Sequence, residues 1–298
     1  MRPPPKPTAN PGPAWGPAFL LWAARTWPRA LFRPALMAGT WVAVAFMPQQ
    51  RRHSRAYLAT LLGRRIAATD VWRHFFAFIE SLLLNLKAGA GAPLTCRVAE
   101  KNGPAFEALL GSDRPALFGT FHVGASDLLG YLLGDRGRKV AILRLQVGNS
   151  HDTRLLHERF GDRVSFLWVN DPQSLIFELK AALDAGLTLA MKCDRLEFSA
   201  KAERFRFLGA ERLFPFTIYH LSVLFGRPLV FCVALAEADG TRLLLIPSPV
   251  FTPDPAAGRE ANLRAARVHF QAMLDELETL LRVHPHQWFN FLPLNPAA

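Results

Sequence analysis

The chain has 298 residues, half of them hydrophobic and only 20% charged, with a mean hydropathy of +0.12 and a formal net charge of +11. That length permits one large α/β domain or two small ones, and a charged fraction below the roughly one quarter of soluble domains indicates a greasy surface. Three widely spaced cysteines, Cys96, Cys193 and Cys232, argue against a disulfide framework and a metal knuckle, and fit a reducing compartment.

The charge is concentrated. Residues 1–74 hold Lys6, ten arginines and a single acid, Asp70, a net of +10. They are also rich in Trp and Leu, a combination suited to an anionic lipid surface. Nucleic acid is excluded as a partner, because no recognition helix, zinc finger or aromatic RNA-binding strand accompanies the basic charge. The Pro-rich stretch 1–14 is expected to be a disordered tail. An apolar run over 17–24 stops at Arg25 without a small-residue cleavage site, so no signal peptide is expected. Ala35–Met47 is uncharged but has 13 residues, against about 20 needed to span a bilayer. An interfacial or re-entrant helix is expected there, with a core helix as the alternative.

Residues 15–88 read as a helical, membrane-associating region, broken at Pro28 and Pro34 and stopped at Pro48. In Val71–Leu86 the apolar residues Trp72, Phe75, Phe76, Phe78, Ile79 and Leu82 make a broad helical stripe. The GAGAP segment at 89–93 marks the boundary with an α/β domain over 89–298. Beyond it strands at 116–121, 140–145, 164–169 and 187–192 alternate with helices at 125–133, 151–160 and 173–185. Such alternation predicts a mostly parallel central sheet flanked by helices. A helix over 216–225 follows. Strands over 229–236 and 242–248, joined by the turn ADG at 238–240, predict an antiparallel pair. Residues 259–283 form a long amphipathic helix.

The segment Gly119-Thr-Phe-His122-Val-Gly124-Ala-Ser126-Asp127 falls where a strand gives way to a helix. Ligands of open α/β sheets bind at the carboxyl ends of strands. A histidine there is suited to abstract a proton near neutral pH, and a carboxylate on its second nitrogen fixes tautomer and orientation. On one regular helix, positions five apart point about 140° from each other. His122 and Asp127 therefore meet only if His122 precedes the helix, and Gly124 permits that sharp entry. A satisfied core histidine is the structural alternative. No second His or Cys lies near His122 at ligand spacing, so neither metal nor cofactor is expected.

The segment resembles the His-x4-Asp/Glu motif of the glycerolipid and lipid A acyltransferases. Several other features are similar to the lipid A lauroyl/myristoyl branch. They are Arg144 in ILRLQ, Arg159 in HERFGDR, Asp194 and Arg195 in MKCDR, the block at 205–230, and the close HPHQWFNF at 284–291. The chain departs from that branch in having Asp at 127, where Glu is common, and Ser126 in place of an aromatic. Phe214-Pro215-Phe216 stands where a Gly often opens the helix, and His286 where Glu is usual.

The resemblance implies transfer of a fatty acyl group from acyl-carrier protein or acyl-CoA to a hydroxyl or amine of a lipid or glycolipid. It also implies a location on the cytoplasmic face of a bacterial inner membrane. His122 is expected as general base and Asp127 as its orienting partner. Arg159 or a backbone N–H near Gly124 is expected to stabilise the oxyanion. Arg144, Asp194 and Arg195 are expected to contact substrate, the arginines through phosphate or carboxylate groups. The rival readings are a catalytically silent lipid-binding or lipid-presenting member of the same fold, and a membrane glycosyltransferase.

Overall fold

The computed structural model describes residues 15–144, 158, 161–168, 172–196, 201–237, 240 and 242–294. Four helices open the fold: α1 (Gly16–Thr26), α2 (Arg29–Phe46), α3 (Pro48–Leu62) and α4 (Ala68–Gly89). Pro28 separates α1 from α2, and Pro48 starts α3, where its missing N–H costs nothing. Pro34, expected to break the chain, lies inside α2. It removes only the N–H that would have gone back to Ala30, on an exposed stretch. Among the described residues no single helix is long and apolar enough to cross a membrane. The pair α2–α3 passes that test together, but is bent by 98° at its break.

Among the described residues the sheet has seven strands: β1 (Thr95–Val98), β2 (Leu117–Thr120), β3 (Val140–Arg144), β4 (Val164–Trp168), β5 (Thr188–Lys192), β8 (Leu229–Ala236) and β9 (Arg242–Pro247). Their order is β1-β9-β8-β2-β5-β3-β4. Every pairing is parallel except β8 with β9, as the turn between them requires. Alternation along the strands sends side chains to opposite faces. Leu117, Leu189, Phe231 and Val233 join one apolar cluster, while Phe118, Ala190, Cys232 and Ala234 join the other. Gly119 is required where it stands, since a Cβ there would lie 2.4 Å from the Phe231 ring.

Helices α5 (Gly103–Gly111), α6 (Leu129–Asp135), α7 (Pro172–Asp184), α8 (Thr217–Phe225) and α9 (Arg259–Val283) cover the sheet. Helix α6 is entered through a 3-10 turn over Ser126–Leu128, so the helix expected from 125 begins as a tighter coil. Helix α5, strand β1 and the two strands of a hairpin were not expected. Strand β1 adds a parallel edge to β9, and β6 (Ala202–Phe207) pairs with β7 (Ala210–Pro215) in a separate hairpin. Leu208 and Gly209 both have positive φ at the hairpin's two-residue turn. The expected tail at 1–14 and the expected helix at 151–160, Glu158 apart, lie outside the described residues.

Candidate active site

The site forms where β2 and β5 end side by side. Their parallel register aligns Thr120 with Lys192. Two residues beyond, the same offset brings His122 opposite Asp194. The imidazole Nδ1 lies 2.7 Å from Asp194 Oδ1, and the backbone N–H of His122 donates to Asp194 Oδ2 at 2.9 Å. The Trp288 indole N–H donates to the same Oδ2 at 2.8 Å. Only 2% of the Asp194 side chain is exposed, against 16% of the His122 side chain.

These contacts fix protonation. Burial pushes the Asp194 carboxyl up, but the attraction and hydrogen bond of His122, the Arg195 charge and the Trp288 N–H outweigh it. The carboxyl is held well below its ordinary range. An ionised Asp194 can only accept, so Nδ1 carries the proton and Nε2 keeps its lone pair. Burial pushes His122 down to about 4, against the pull of Asp194 and with the help of Lys192 and Arg195. The ring is neutral at pH 7, and among the described residues Nε2 has no hydrogen-bond partner.

The pairing differs from the expected one. Asp127 was expected at Nδ1, but no ion pair joins His122 and Asp127. Asp127 instead accepts from Lys192 Nζ at 2.7 Å and, more weakly, from Asn85 Nδ2 at 3.4 Å. The entry turn explains this. Asp127 sits in the 3-10 turn beside the end of β5, one cation away from the imidazole, while strand register delivers Asp194 to the ring. Asp194 was expected to touch substrate, and the fold spends it on the histidine.

Gly124 is also corrected. Its N–H donates to Gln287 O at 2.8 Å, and the neighbouring N–H groups of Val123 and Ala125 go to Phe121 O and Ala234 O. None of the three is left for an oxyanion. Gly124 is needed for its backbone: φ is +56°, and a Cβ would stand 2.2 Å from Ala234 O. Arg195 lies beside the pair, with an Nη2 contact of 3.4 Å to Phe289 O and a buried Nε that has no hydrogen-bond partner among the described residues. Arg159 and the side chain of Arg144 lie outside the described residues.

Three further residues complete the site and were not singled out from the sequence: Lys192, Asn85 and Trp288. His74, Ser81 and Asn85 recur on one face of α4, and that face covers the site. Ser81 Oγ donates to Gly124 O at 3.0 Å. His74 lies between Ser54 Oγ and Trp288 O, 2.8 Å from each. The C-terminal segment runs antiparallel to 122–124, with Phe289 N–H donating to His122 O at 2.7 Å. Phe75, from the apolar stripe of α4, is buried against Phe291, whereas Phe78 is partly exposed beside Phe289 and Phe291.

The family model for bacterial lipid A biosynthesis acyltransferases matches residues 10–294, nearly the whole chain. The chain belongs to that family. It is therefore an acyltransferase of lipid biosynthesis, acting with an acyl donor and a lipid acceptor. No curated protein sequence matches it significantly. Among solved structures it is similar to the 1-acyl-sn-glycerophosphate (LPA) acyltransferase PlsC from Thermotoga maritima. Identity is 12% and the TM-score 0.37, over 83% of this chain and 96% of that one.

Proposed function

We propose that this lipid A acyltransferase family member moves a fatty acyl group from an acyl thioester to a hydroxyl or amine of a lipid or glycolipid, with His122 as general base. The observation that carries the reading is a neutral, partly exposed imidazole whose Nδ1 is held by a buried carboxylate. Nε2 takes the proton of the acceptor hydroxyl as its oxygen attacks the thioester carbonyl carbon. Asp194 stabilises the imidazolium so formed. The tetrahedral intermediate then collapses, the C–S bond breaks, and the imidazolium returns its proton to the departing thiolate.

Negative charge on the carbonyl oxygen needs a donor, and the backbone N–H groups of residues 123–125 are committed. Arg195, whose Nε has no partner among the described residues, fits that task or the binding of a donor phosphate. Lys192 adds positive charge and is held by Asp127. A donor on an acidic carrier protein suits the +11 chain, and acyl-CoA carries phosphates of the same sign.

The acceptor is reached from the cytoplasmic face of a bacterial inner membrane. Supporting this, α1 and α2 expose Trp22, Leu31, Trp41, Val42 and Phe46 among arginines that lack acidic neighbours in sequence. The test incubates purified protein with labelled acyl-carrier protein, or separately acyl-CoA, and a bacterial lipid extract, and identifies products by mass spectrometry. A new acylated lipid that disappears with His122→Ala is expected. Undiminished product from that variant overturns the mechanism.

A further inference from the structure

Between the N-terminal helices and His122 runs an unbroken set of buried polar contacts. Ser54 Oγ and Trp288 O sit on the two nitrogens of His74, each at 2.8 Å. A carbonyl only accepts, so Nε2 of His74 carries hydrogen and donates to Trp288, while Nδ1 accepts from the Ser54 hydroxyl. Trp288 then donates its indole N–H to Asp194 Oδ2, and Asp194 Oδ1 receives Nδ1–H of His122. Ser54 and His74 have no exposed surface, and Trp288 has 2%. The ring of Trp288 is wedged edge-on against Tyr57 and Phe207, with centroids at 5.1 and 5.5 Å.

We propose that Trp288 is a positioning residue for the acyl transfer: its indole N–H sets the aim and proton affinity of the Asp194–His122 pair, and His74 on α4 holds Trp288 in place. The proposal rests on His122 as general base. Asp194 Oδ2 accepts from the backbone N–H of His122 and from the indole N–H. The backbone donor is fixed by the chain itself. The indole comes from a distant segment, and its residue is tied to the covering helix through its own carbonyl. Packing alone does not require nitrogen at that ring position; a carboxylate that must not rotate does.

Removing the N–H leaves Asp194 less satisfied and therefore a stronger attractor of the imidazole proton. His122 then becomes easier to protonate. Lys192 and Arg195, which also face the ring, oppose protonation and are unchanged by the substitution, so the direction of the shift is upward.

The experiment compares wild type with Trp288→Phe, and with a form carrying 3-benzothienylalanine at 288, in which sulfur replaces the N–H at nearly constant shape. In both, kcat should fall about ten- to a hundred-fold with KM within about two-fold. The acid limb of kcat/KM, and the His122 titration followed by NMR on labelled histidine, should move up by about half to one pH unit. His74→Gln should show the same signs with smaller size. If Trp288→Phe does not fold, the sulfur isostere decides. A folded isostere with wild-type kcat and an unmoved His122 titration overturns the proposal, leaving His122 as base intact. Full activity in His122→Ala instead overturns the underlying mechanism, whatever Trp288 does.

Discussion

His122 and Asp194 are 72 positions apart in the chain and 2.7 Å apart in space, joined because β2 and β5 run in parallel with that same offset. Asp194→Asn should keep the fold and a hydrogen bond to Nδ1 while removing the charge that stabilises the imidazolium. A loss in kcat of about 10³- to 10⁴-fold is expected. Asp127→Asn acts one residue further away, through Lys192, and should cost about ten- to a hundred-fold. Steady-state kinetics of both variants checks the ranking; a reversed order would return Asp127 to the role of the orienting carboxylate.

The pH profile should carry the mark of the buried ring. With His122 pushed down to about 4, chiefly by burial, the base form persists through the neutral range. The acid limb of kcat/KM should lie near 4 and the profile should stay flat from about pH 5 to pH 7. A limb near the ordinary histidine value of about 6.5 would mean that the ring is better hydrated than its surroundings indicate.

Stability should also depend on pH, through His74. Burial pushes this histidine down to about 3, outweighing the Trp288 carbonyl that pulls it up. The unfolded chain takes up a proton as pH falls through about 6.5, while the folded chain resists until about 3. This contribution therefore lowers stability with decreasing pH across that window, with a slope of about 1.4 kcal/mol per pH unit below the unfolded value. Urea unfolding at pH 7 and pH 5 should differ by about 2 kcal/mol less in His74→Gln than in wild type. Equal differences would show that His74 is not the group that resists protonation.

Gly124→Ala should be among the most damaging small substitutions. The new methyl would meet Ala234 O at 2.2 Å on a residue with φ of +56°, between two strand ends that cannot separate without moving His122. A loss of about 4 kcal/mol or more is expected, together with activity, and thermal unfolding measures it.

Membrane docking is tested at Leu31, Val42 and Phe46, which are 63%, 56% and 81% exposed. Replacing all three with serine should weaken binding to vesicles containing anionic lipid by about ten-fold or more, at about 1.5 kcal/mol or more per side chain fully withdrawn from lipid. Unaltered co-sedimentation would assign these side chains to some other contact.

The architecture was legible because apolar runs of strand length alternate with helical stripes from residue 116 onward, and that rhythm survives folding. The hairpin at 202–215 was missed because ERFRFLGAER mixes charge into every other position and its strands lie apart from the main sheet. At the site, a local motif pointed to His122 correctly as a group at a strand end. The choice of its carboxylate depended on strand register, which no short spacing reveals. Lys192 and Asp194 alternate along one chain segment, and the sequence does not say which of them reaches the imidazole and which reaches Asp127. Trp288 and His74 were beyond sequence reasoning altogether, since their contacts join positions 214 residues apart.

The antiparallel clasp between 122–124 and 287–289 has a consequence for biosynthesis. Until residues 287–289 have been made and folded back, the carbonyl of His122 lacks its Phe289 partner and Asp194 lacks the indole. A nascent or truncated chain whose amino-terminal helices are already folded would thus lack the indole that steadies Asp194. The four opening helices and the finished base are therefore separated in time by the synthesis of the residues between Gly89 and Trp288.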